Sequence, residues 1–218
     1  NYDAAVTNLS ASDFVTYNGT SIMMLDNGGY ASLPKGVVDD NTFTISVVAS
    51  TEQANDQWLV TLGRDSWNYA FMTPTNKNSK TKFTVAQQNE VSGITGAYGK
   101  ENTIEVDSVG KNGSFHVYTV VVNDGKTALY VDGAKVGTGN NPYDITSFFE
   151  GLDVIGYIGK SLYAADPLFT GAVGEFKVYD NALNDEQVAR EVQNVDLDAY
   201  VAAYIYGSML KNNTAMDN

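Results

Sequence analysis

The chain has 218 residues, of which 43% are hydrophobic and none is cysteine, so it is long enough to bury a core without disulfide bonds. Its 26 acidic and 13 basic residues give a net charge of −13, which argues against nucleic acid or an anionic membrane as partner. No segment approaches the apolar run of about 20 residues that a membrane helix needs, so no membrane insertion is expected. The 14 tyrosines, nine phenylalanines and 20 glycines favour strands joined by tight turns.

Short strands are predicted along the first half of the chain. The clearest alternation lies at 42–50, where Phe43, Ile45 and Val47 face one side and polar residues the other. Asn-Gly and Gly-Gly pairs between the strands permit the positive φ angles of tight hairpins. Similar alternation predicts further strands at residues 14–19, 21–25, 30–34, 58–63, 69–74 and 83–87.

The secondary-structure signal varies in strength along the middle of the chain. Residues 89–114 give little signal, and only short strands at 91–95 and 103–106 are predicted there. A three-stranded antiparallel meander joined by Asp-Gly turns is predicted next, at residues 115–122, 127–131 and 134–137. Another strand is predicted at residues 152–158.

A strand and a capped helix follow towards the C-terminus. Residues 170–179 alternate as a strand that crosses a sheet, with a local shift at Gly174. Asn184 is placed to cap a helix from about Asp185, and Gln187 is placed to complete a capping box. The segment therefore predicts strand, loop and helix in that order.

The tail differs from the rest of the chain. At 195–210 apolar side chains recur at helical spacing and predict an amphipathic helix; they are Leu197, Tyr200, Val201, Tyr204, Ile205 and Met209. This stripe is expected to pack on the strands or on a neighbouring domain. The predicted organisation is a β domain at 1–193 and a helical tail or linker at 194–218. Because the chain opens on Asn1 and ends in a polar tail, we expect it to be a piece of a longer protein.

Several short sequence motifs, in order along residues 14–192, carry a family resemblance. They are N-Y-A-F-M-T-P at 68–74, L-Y-V-D-G at 129–133, I-G-K-S-L-Y-A-A-D-P-L-F at 158–169, and F-T-G-A-V-G-E-F-K-V-Y-D-N-A-L at 169–183. The chain resembles the laminin-G-like domains of the concanavalin-A-like lectin/glucanase superfamily, including those attached to bacterial glycoside hydrolases. The resemblance implies an all-β, two-sheet antiparallel sandwich of the jelly-roll kind. Composition and turn spacing independently favour an all-β sandwich.

Sugar recognition is the predicted activity. Sugars present C–H faces that stack on rings and hydroxyl pairs that bind polar groups, and loops are the usual place for both. Two loops qualify, and the predicted ligand-binding residues are Arg64, Asp65, Trp67 and Asn68 on the first and Tyr157, Tyr163 and Asp166 on the second. Trp67 and Asp166 have a structural alternative, as a packed ring and as a turn residue.

A structural calcium ion is implied by the resemblance. It would lie near the acidic end of the closing motif and an early Gly/Asp turn, which in this sequence are Glu175, Asp26 and Gly29. Calcium takes six to eight oxygen ligands, so carboxylates and backbone carbonyls suit it. Gly174 replaces the aspartate that the family usually has before the glutamate, which removes one expected ligand.

A catalytic role is the weakest hypothesis. Glucanases of the superfamily carry Glu-x-Asp-x-x-Glu on one strand, whereas here Glu105 and Asp107 lack the third carboxylate. His116 is the one histidine and falls inside a predicted strand, which favours a structural role. The sequence thus predicts a non-catalytic carbohydrate-binding module of a secreted or cell-surface bacterial protein, with polysaccharide and neighbouring domains as partners. The alternatives are a structural or adhesion module and, less favoured, a glucanase.

Overall fold

The protein is described here by a computed structural model that covers residues 4–109 and 113–216. Over these residues, two antiparallel sheets of seven strands each pack face to face, with two helices on the outside of one sheet. The predicted all-β, two-sheet sandwich is confirmed. Among the described residues, no helix has the length and apolarity needed to cross a membrane.

Sheet A has the strand order β1-β4-β13-β6-β7-β8-β9. Its strands are β1 (Ala5–Thr7), β4 (Tyr30–Pro34), β6 (Val60–Asp65), β7 (Asn68–Thr73), β8 (Lys80–Gln87), β9 (Asn102–Asp107) and β13 (Val154–Ile158). Sheet B has the order β12-β11-β10-β5-β14-β3-β2. Its strands are β2 (Phe14–Tyr17), β3 (Thr20–Met24), β5 (Thr42–Ser50), β10 (His116–Asn123), β11 (Lys126–Val131), β12 (Ala134–Asn140) and β14 (Ala172–Tyr179).

The main core lies between the sheets and follows the alternation of the strands. On β5, Phe43, Ile45 and Val47 point inwards, and β10 brings Tyr118 and Val120 into the same cluster. Each large apolar side chain removed from water contributes about 1.5–3 kcal/mol. Because period-two alternation fixes which face is buried, it also fixes the register of each strand.

Helix α1 (Asp185–Gln193) forms as its sequence predicts. The Asn184 side chain accepts a hydrogen bond from the Gln187 N–H, and the Gln187 side chain accepts one from the Asn184 N–H. The helix packs on the outer face of sheet B, where Val188 meets Tyr130. Two orphan N–H groups at the helix start are thereby satisfied.

Helix α2 (Leu197–Met216) packs on the outer face of sheet B against β2 and β3. The buried stripe contains Tyr200 and Ala203 and continues at Gly207, whereas Ile205 and Met209 are exposed. The stripe therefore packs on the sheet only in part, and for Ile205 and Met209 packing on a neighbouring domain stays a prediction. A Cβ atom on Gly207 would lie 2.8 Å from Met24 Sδ, so the small residues let the helix approach the sheet closely.

Three local features differ from the predictions. The predicted strand at 91–95 is absent, because residues 88–101 form a loop that is held by other loops rather than by a strand partner. The short strand β1, which was not predicted, pairs with β4. Strand β6 begins at Val60, so Trp58 precedes it and packs on the outer face of sheet A.

Candidate functional site

The first predicted ligand-binding loop is a tight turn between β6 and β7, and its polar residues hold that turn together. Asp65 Oδ1 accepts hydrogen bonds from the N–H groups of Trp67 (2.9 Å) and Asn68 (3.0 Å), and from Asn68 Nδ2 (3.1 Å). The carboxylate replaces the backbone partners that a turn leaves unsatisfied. Asp65 and Asn68 therefore have a structural role that the sequence analysis did not separate from a ligand role.

Arg64 also makes internal contacts. Its Nε donates to the Phe148 carbonyl oxygen (3.3 Å) and a terminal nitrogen donates to the Glu150 carbonyl oxygen (2.7 Å). These carbonyls belong to a 3-10 turn at Ile145–Phe149 and to the residue after it. The guanidinium thus clamps that turn to the end of β6. Arg64 is nevertheless exposed, and Asp65, Trp67 and Asn68 are half-buried, so ligand contact by this loop stays a prediction.

A third loop, residues 88–101, connects the two loops that were predicted to bind ligand. The Ala97 N–H donates to the Ser66 carbonyl oxygen (2.8 Å), and Ser66 Oγ donates to the Thr95 carbonyl oxygen (2.6 Å). On the other side, the Tyr98 N–H donates to the Tyr163 hydroxyl (2.9 Å). Loops about 95 positions apart in the sequence are thereby brought together over sheet A.

Beneath these loops, the centre of the outer face of sheet A is sealed by rings. The Trp58 ring stacks on Phe71 with centroids 3.8 Å apart. The Tyr69 hydroxyl donates to Glu101 (2.8 Å), and Glu101 pairs with Lys82 at 2.5 Å. Burial, and then the Glu101 charge, raise the pKa of Tyr69 strongly. This part of the face is a closed polar and aromatic layer, with no room for a sugar ring to stack.

Asp166 lies beside this layer and holds its own loop. Ser161 Oγ donates to the Asp166 carboxylate (2.7 Å) and accepts from the Tyr163 N–H (3.0 Å). Burial raises the pKa of Asp166, and the Ser161 hydrogen bond partly offsets that effect. These contacts fit the structural alternative for Asp166, in which it holds a turn. Its carboxylate nevertheless stays partly accessible.

The open part of the outer face of sheet A carries three residues that we call the tyrosine–lysine cluster: Tyr30, Tyr157 and Lys160. The Lys160 ammonium lies 4.6 Å from the centroid of the Tyr30 ring and 4.5 Å from that of the Tyr157 ring. The two rings meet edge to face at 5.6 Å. All three side chains are half-exposed. The arrangement offers ring surface and a fixed cation side by side.

Backbone and side-chain contacts fix the tyrosine–lysine cluster. Thr61 Oγ1 donates to the Lys160 carbonyl oxygen (2.7 Å). A hydrogen bond with the Thr7 side chain, and then the nearby Lys160 charge, hold the pKa of Tyr30 below its usual value. Sequence analysis selected Tyr157 but missed Tyr30. Only the pairing of Ser32 with Tyr157, which sets β4 beside β13, places the two tyrosines together.

The candidate acids for catalysis, Glu105 and Asp107, are each bound to another side chain. Glu105 accepts a hydrogen bond from Asn76 Nδ2 (2.8 Å), and Asp107 pairs with Lys80 at 2.6 Å. The hydrogen bond from Lys80 holds the pKa of Asp107 below its usual value, whereas a general acid requires a raised pKa. His116 Nδ1 lies 2.7 Å from Asp132, consistent with its predicted structural role.

The carboxylates among the three predicted calcium ligands lie near lysine ammonium groups in the structure. Asp26 lies just beyond the end of β3, whereas Glu175 lies within β14, beyond the two residue pairs that join these strands. Ligands of one calcium ion must each lie about 2.3–2.6 Å from it. Glu175 instead pairs with Lys177 (2.8 Å), and Asp26 lies 3.9 Å from Lys211 Nζ. The described residues contain no group of three or more His, Asp or Glu side chains arranged for a metal. Calcium bound by Asp26, Gly29 and Glu175 stays a prediction.

These features define a β-sandwich of the lectin type, in which loops and rings occupy the outer face of one sheet and helices cover the other. Residues 25–189 match the laminin G profile of the concanavalin A-like lectin/glucanases superfamily. The chain therefore belongs to that superfamily. The resemblance to this superfamily that the sequence motifs indicated is confirmed.

One similar protein is an alpha-L-arabinofuranosidase of Bifidobacterium longum subsp. longum, with 24% identity over 175 residues. The match covers 76% of this chain but only 16% of the relative. The chain thus corresponds in size to a small part of that enzyme.

Two solved structures share the fold. Domain 4 of AbnA, a GH43 extracellular arabinanase from Geobacillus stearothermophilus in complex with arabinotriose, has a TM-score of 0.67 at 18% identity and covers 87% of this chain and 88% of its own. The Ruminococcus gnavus IT-sialidase CBM40 bound to alpha2,3 sialyllactose has a TM-score of 0.62 at 14% identity and covers 78% and 96%. At these identities the likeness shows the fold.

Proposed function

We propose that this chain is a non-catalytic carbohydrate-binding module of a bacterial glycoside hydrolase or surface protein that acts outside the cell. The similar solved domains were captured with oligosaccharides, and the relative is a glycoside hydrolase. Because a fold can host many functions, the proposal depends on the site rather than on this likeness.

The observation that carries the proposal is the tyrosine–lysine cluster. Its two half-exposed tyrosines offer ring surface to the C–H face of a sugar, while the Lys160 ammonium and the Thr7 and Ser32 side chains offer partners for hydroxyl groups. The neighbouring loops that carry Trp67, Tyr163 and Asp166 form the rim of this face. Ligand contact at these rim residues remains part of the proposal.

The biological role follows from attachment to a larger protein. A weak sugar-binding module that is tethered to a catalytic domain keeps that domain at a high effective concentration on its polysaccharide. This rise in effective concentration needs no new contact in the active site of the catalytic domain. Neighbouring domains of a longer chain are therefore part of this proposal.

Affinity gels and a glycan array, run with the whole 218-residue chain, test the function. We expect retention on at least one polysaccharide and clearly weaker retention of Tyr157→Ala. Tyr206→Ala is the matched control, because Tyr206 lies on α2, on the other side of the sandwich. Failure of the wild-type chain to bind any plant or host glycan would contradict the proposal.

A second candidate function is docking on a neighbouring domain. The outward side of α2 exposes Ile205 (55%), Met209 (59%) and Leu210 (46%), and Tyr206 contacts Tyr17 with ring centroids 4.8 Å apart. A contiguous apolar patch of this kind is typical of an interaction surface.

The docking candidate is tested in the parent protein with Ile205→Glu and Met209→Glu together. If the patch is an interface, the wild-type module and its neighbour unfold in one calorimetric transition and the variant shows two. Two transitions already present in the wild type would contradict docking. Sugar retention is unchanged in either case, so the two functions are separable.

A further inference from the structure

A cleft on sheet B lies far from the tyrosine–lysine cluster and belongs to none of the predicted loops. It opens between the β10–β11–β12 meander and the segment that caps α1, and it has a volume of about 590 Å³. Sites for small ligands usually measure about 300–1,000 Å³. The cleft is therefore large enough for a short oligosaccharide.

The floor of the cleft is apolar and made of small side chains. Val121 and Leu183 are buried, and Ala128 and Ala182 lie half-exposed beside them. The two alanines leave the space that a larger residue would fill. Such a floor suits the C–H face of a sugar ring, because burying it removes apolar surface from water.

The rim of the cleft carries amide groups that are already held in place. Asn140 Oδ1 accepts a hydrogen bond from Lys126 Nζ (2.8 Å), which leaves its Nδ2 as a donor for a ligand. Asn184 Oδ1 accepts the Gln187 N–H (3.0 Å), which likewise leaves its Nδ2 as a donor. Side chains fixed before binding lose little entropy when a ligand arrives.

The charges around the cleft favour a neutral ligand. Lys135 lies 2.6 Å from the Asp185 carboxylate, and the Tyr130 hydroxyl donates to the same carboxylate (2.8 Å). Only the Lys126 charge lacks a carboxylate partner among the lining residues. One such cation does not outweigh the net charge of −13, which repels anions at long range.

From this lining we propose that the cleft is a second sugar-binding site, for a short neutral oligosaccharide, on the sheet opposite the tyrosine–lysine cluster. The proposal goes beyond the proposed function, because it adds a site that does not depend on sheet A. A module with sites on both sheets binds two polysaccharide chains at once, or one chain twice with the gain that multivalency brings.

Chemical-shift mapping on the 15N-labelled chain tests the second site, with arabinotriose, xylotriose and mannotriose as probes. We expect at least one probe to shift the backbone amides of Asn123, Thr138 and Asn140. Ala128→Leu fills the floor and is expected to weaken this binding at least about tenfold. Ala134→Leu adds the same side chain on β12 outside the cleft and is expected to bind like the wild type.

Further variants separate the two sites. Asn140 lies at the exposed rim, outside the core, so Asn140→Ala is not expected to disturb the fold. A lower affinity of this variant for the probe would therefore not reflect misfolding. Tyr157→Ala is expected to leave the cleft shifts intact. The proposal is overturned if no probe moves the cleft amides, or if Ala128→Leu and Asn140→Ala bind unchanged. Shifts confined to the Tyr157 region would overturn the second site and leave the proposed function standing.

Discussion

The ring of Tyr200 lies directly over Gly174, where an added Cβ atom would come within 2.3 Å of Tyr200 Cε1. Gly174 stands where the family usually has an aspartate, and sequence analysis treated it as a missing calcium ligand and as the site of a local shift in the strand. The structure shows that its empty side-chain position receives the first turn of α2. One substitution thus removes a carboxylate and makes room for a helix.

Replacing Gly174 with alanine is expected to destabilise the fold. The new methyl group must displace the Tyr200 ring, and overpacking of this kind typically costs about 1–3 kcal/mol. The free energy of unfolding from urea denaturation is the measurement. In a Tyr200→Ala background the same substitution is expected to cost much less, because the ring is gone. Equal costs in both backgrounds would contradict the contact.

Tyr157 and Trp67 are expected to contribute unequally to sugar binding. Tyr157 belongs to the half-exposed tyrosine–lysine cluster, whereas Trp67 sits on a turn at the rim. We expect Tyr157→Ala to weaken retention at least about tenfold and Trp67→Ala to weaken it less. Affinity electrophoresis on the best polysaccharide gives both values. A larger effect of Trp67→Ala would move the site to the rim loops.

The ion pair between Lys211 and Asp13 is expected to make stability depend on pH. The Lys211 ammonium lies 2.9 Å from Asp13, whose side chain is only 7% exposed, and 3.9 Å from Asp26. Burial alone would raise the pKa of Asp13, but hydrogen bonds from Lys211 and Ser10 outweigh it and leave the pKa below the usual 3.8. The carboxylate therefore stabilises the fold above about pH 4, and this contribution is lost as the pH falls through the folded-state pKa.

Lys211→Met tests that linkage. At neutral pH it is expected to lower the free energy of unfolding by about 1–3 kcal/mol, because Asp13 loses its partner. The difference from wild type is expected to shrink as the pH falls through the lowered pKa of Asp13 and its carboxylate becomes protonated. Asp26 acts with the opposite sign, since burial raises its pKa. Lys100→Met, at an exposed position, is the control. A pH-independent difference would rule out the ion pair as the cause.

Glu105 is expected to play no part in catalysis. Its carboxylate is hydrogen bonded to Asn76, and its neighbour Asp107 has a lowered pKa. Wild type and Glu105→Gln are therefore expected to release equal, background amounts of reducing sugar from β-glucans. Activity in the wild type that Glu105→Gln abolishes would restore the glucanase hypothesis.

Calcium binding, if it uses the early turn, is expected to depend on Asp26 and not on Glu175. Glu175 is held in an ion pair with Lys177 at 2.8 Å, whereas Asp26 lies 3.9 Å from Lys211 Nζ, so Asp26 is the freer of the two carboxylates to bind an ion. Titration calorimetry with calcium is expected to give weaker binding for Asp26→Asn and unchanged binding for Glu175→Gln. Equal losses of calcium affinity in both variants would contradict this prediction.

The local structure that follows from short-range rules was predictable. Alternation set the bounds of β4 and β5, and the Asn184 capping box set the start of α1. These signals work because a strand or a cap is specified by residues only a few positions apart.

The predictions about loops were less complete. The sequence identified the loops that carry Trp67 and Tyr163 but not residues 88–101, which link them through backbone groups. Backbone hydrogen bonds between loops have no side-chain pattern that a sequence can display. The pairing of β4 with β13, which lie far apart in the sequence, similarly decided that Tyr30 joins Tyr157.

By itself, the sequence determined that the chain is all-β, which side chains line the core, where α1 begins and which superfamily the chain resembles. Only the tertiary structure decided that Arg64 and Asp65 serve turns, that α2 buries Tyr200 and Ala203 but exposes Ile205 and Met209, and that a cleft opens beside α1. The physical reason is the range of the interactions. The alternation of a strand and the cap of a helix involve residues that are close in the sequence. A surface site, in contrast, is made by residues that only sheet pairing and helix docking bring together.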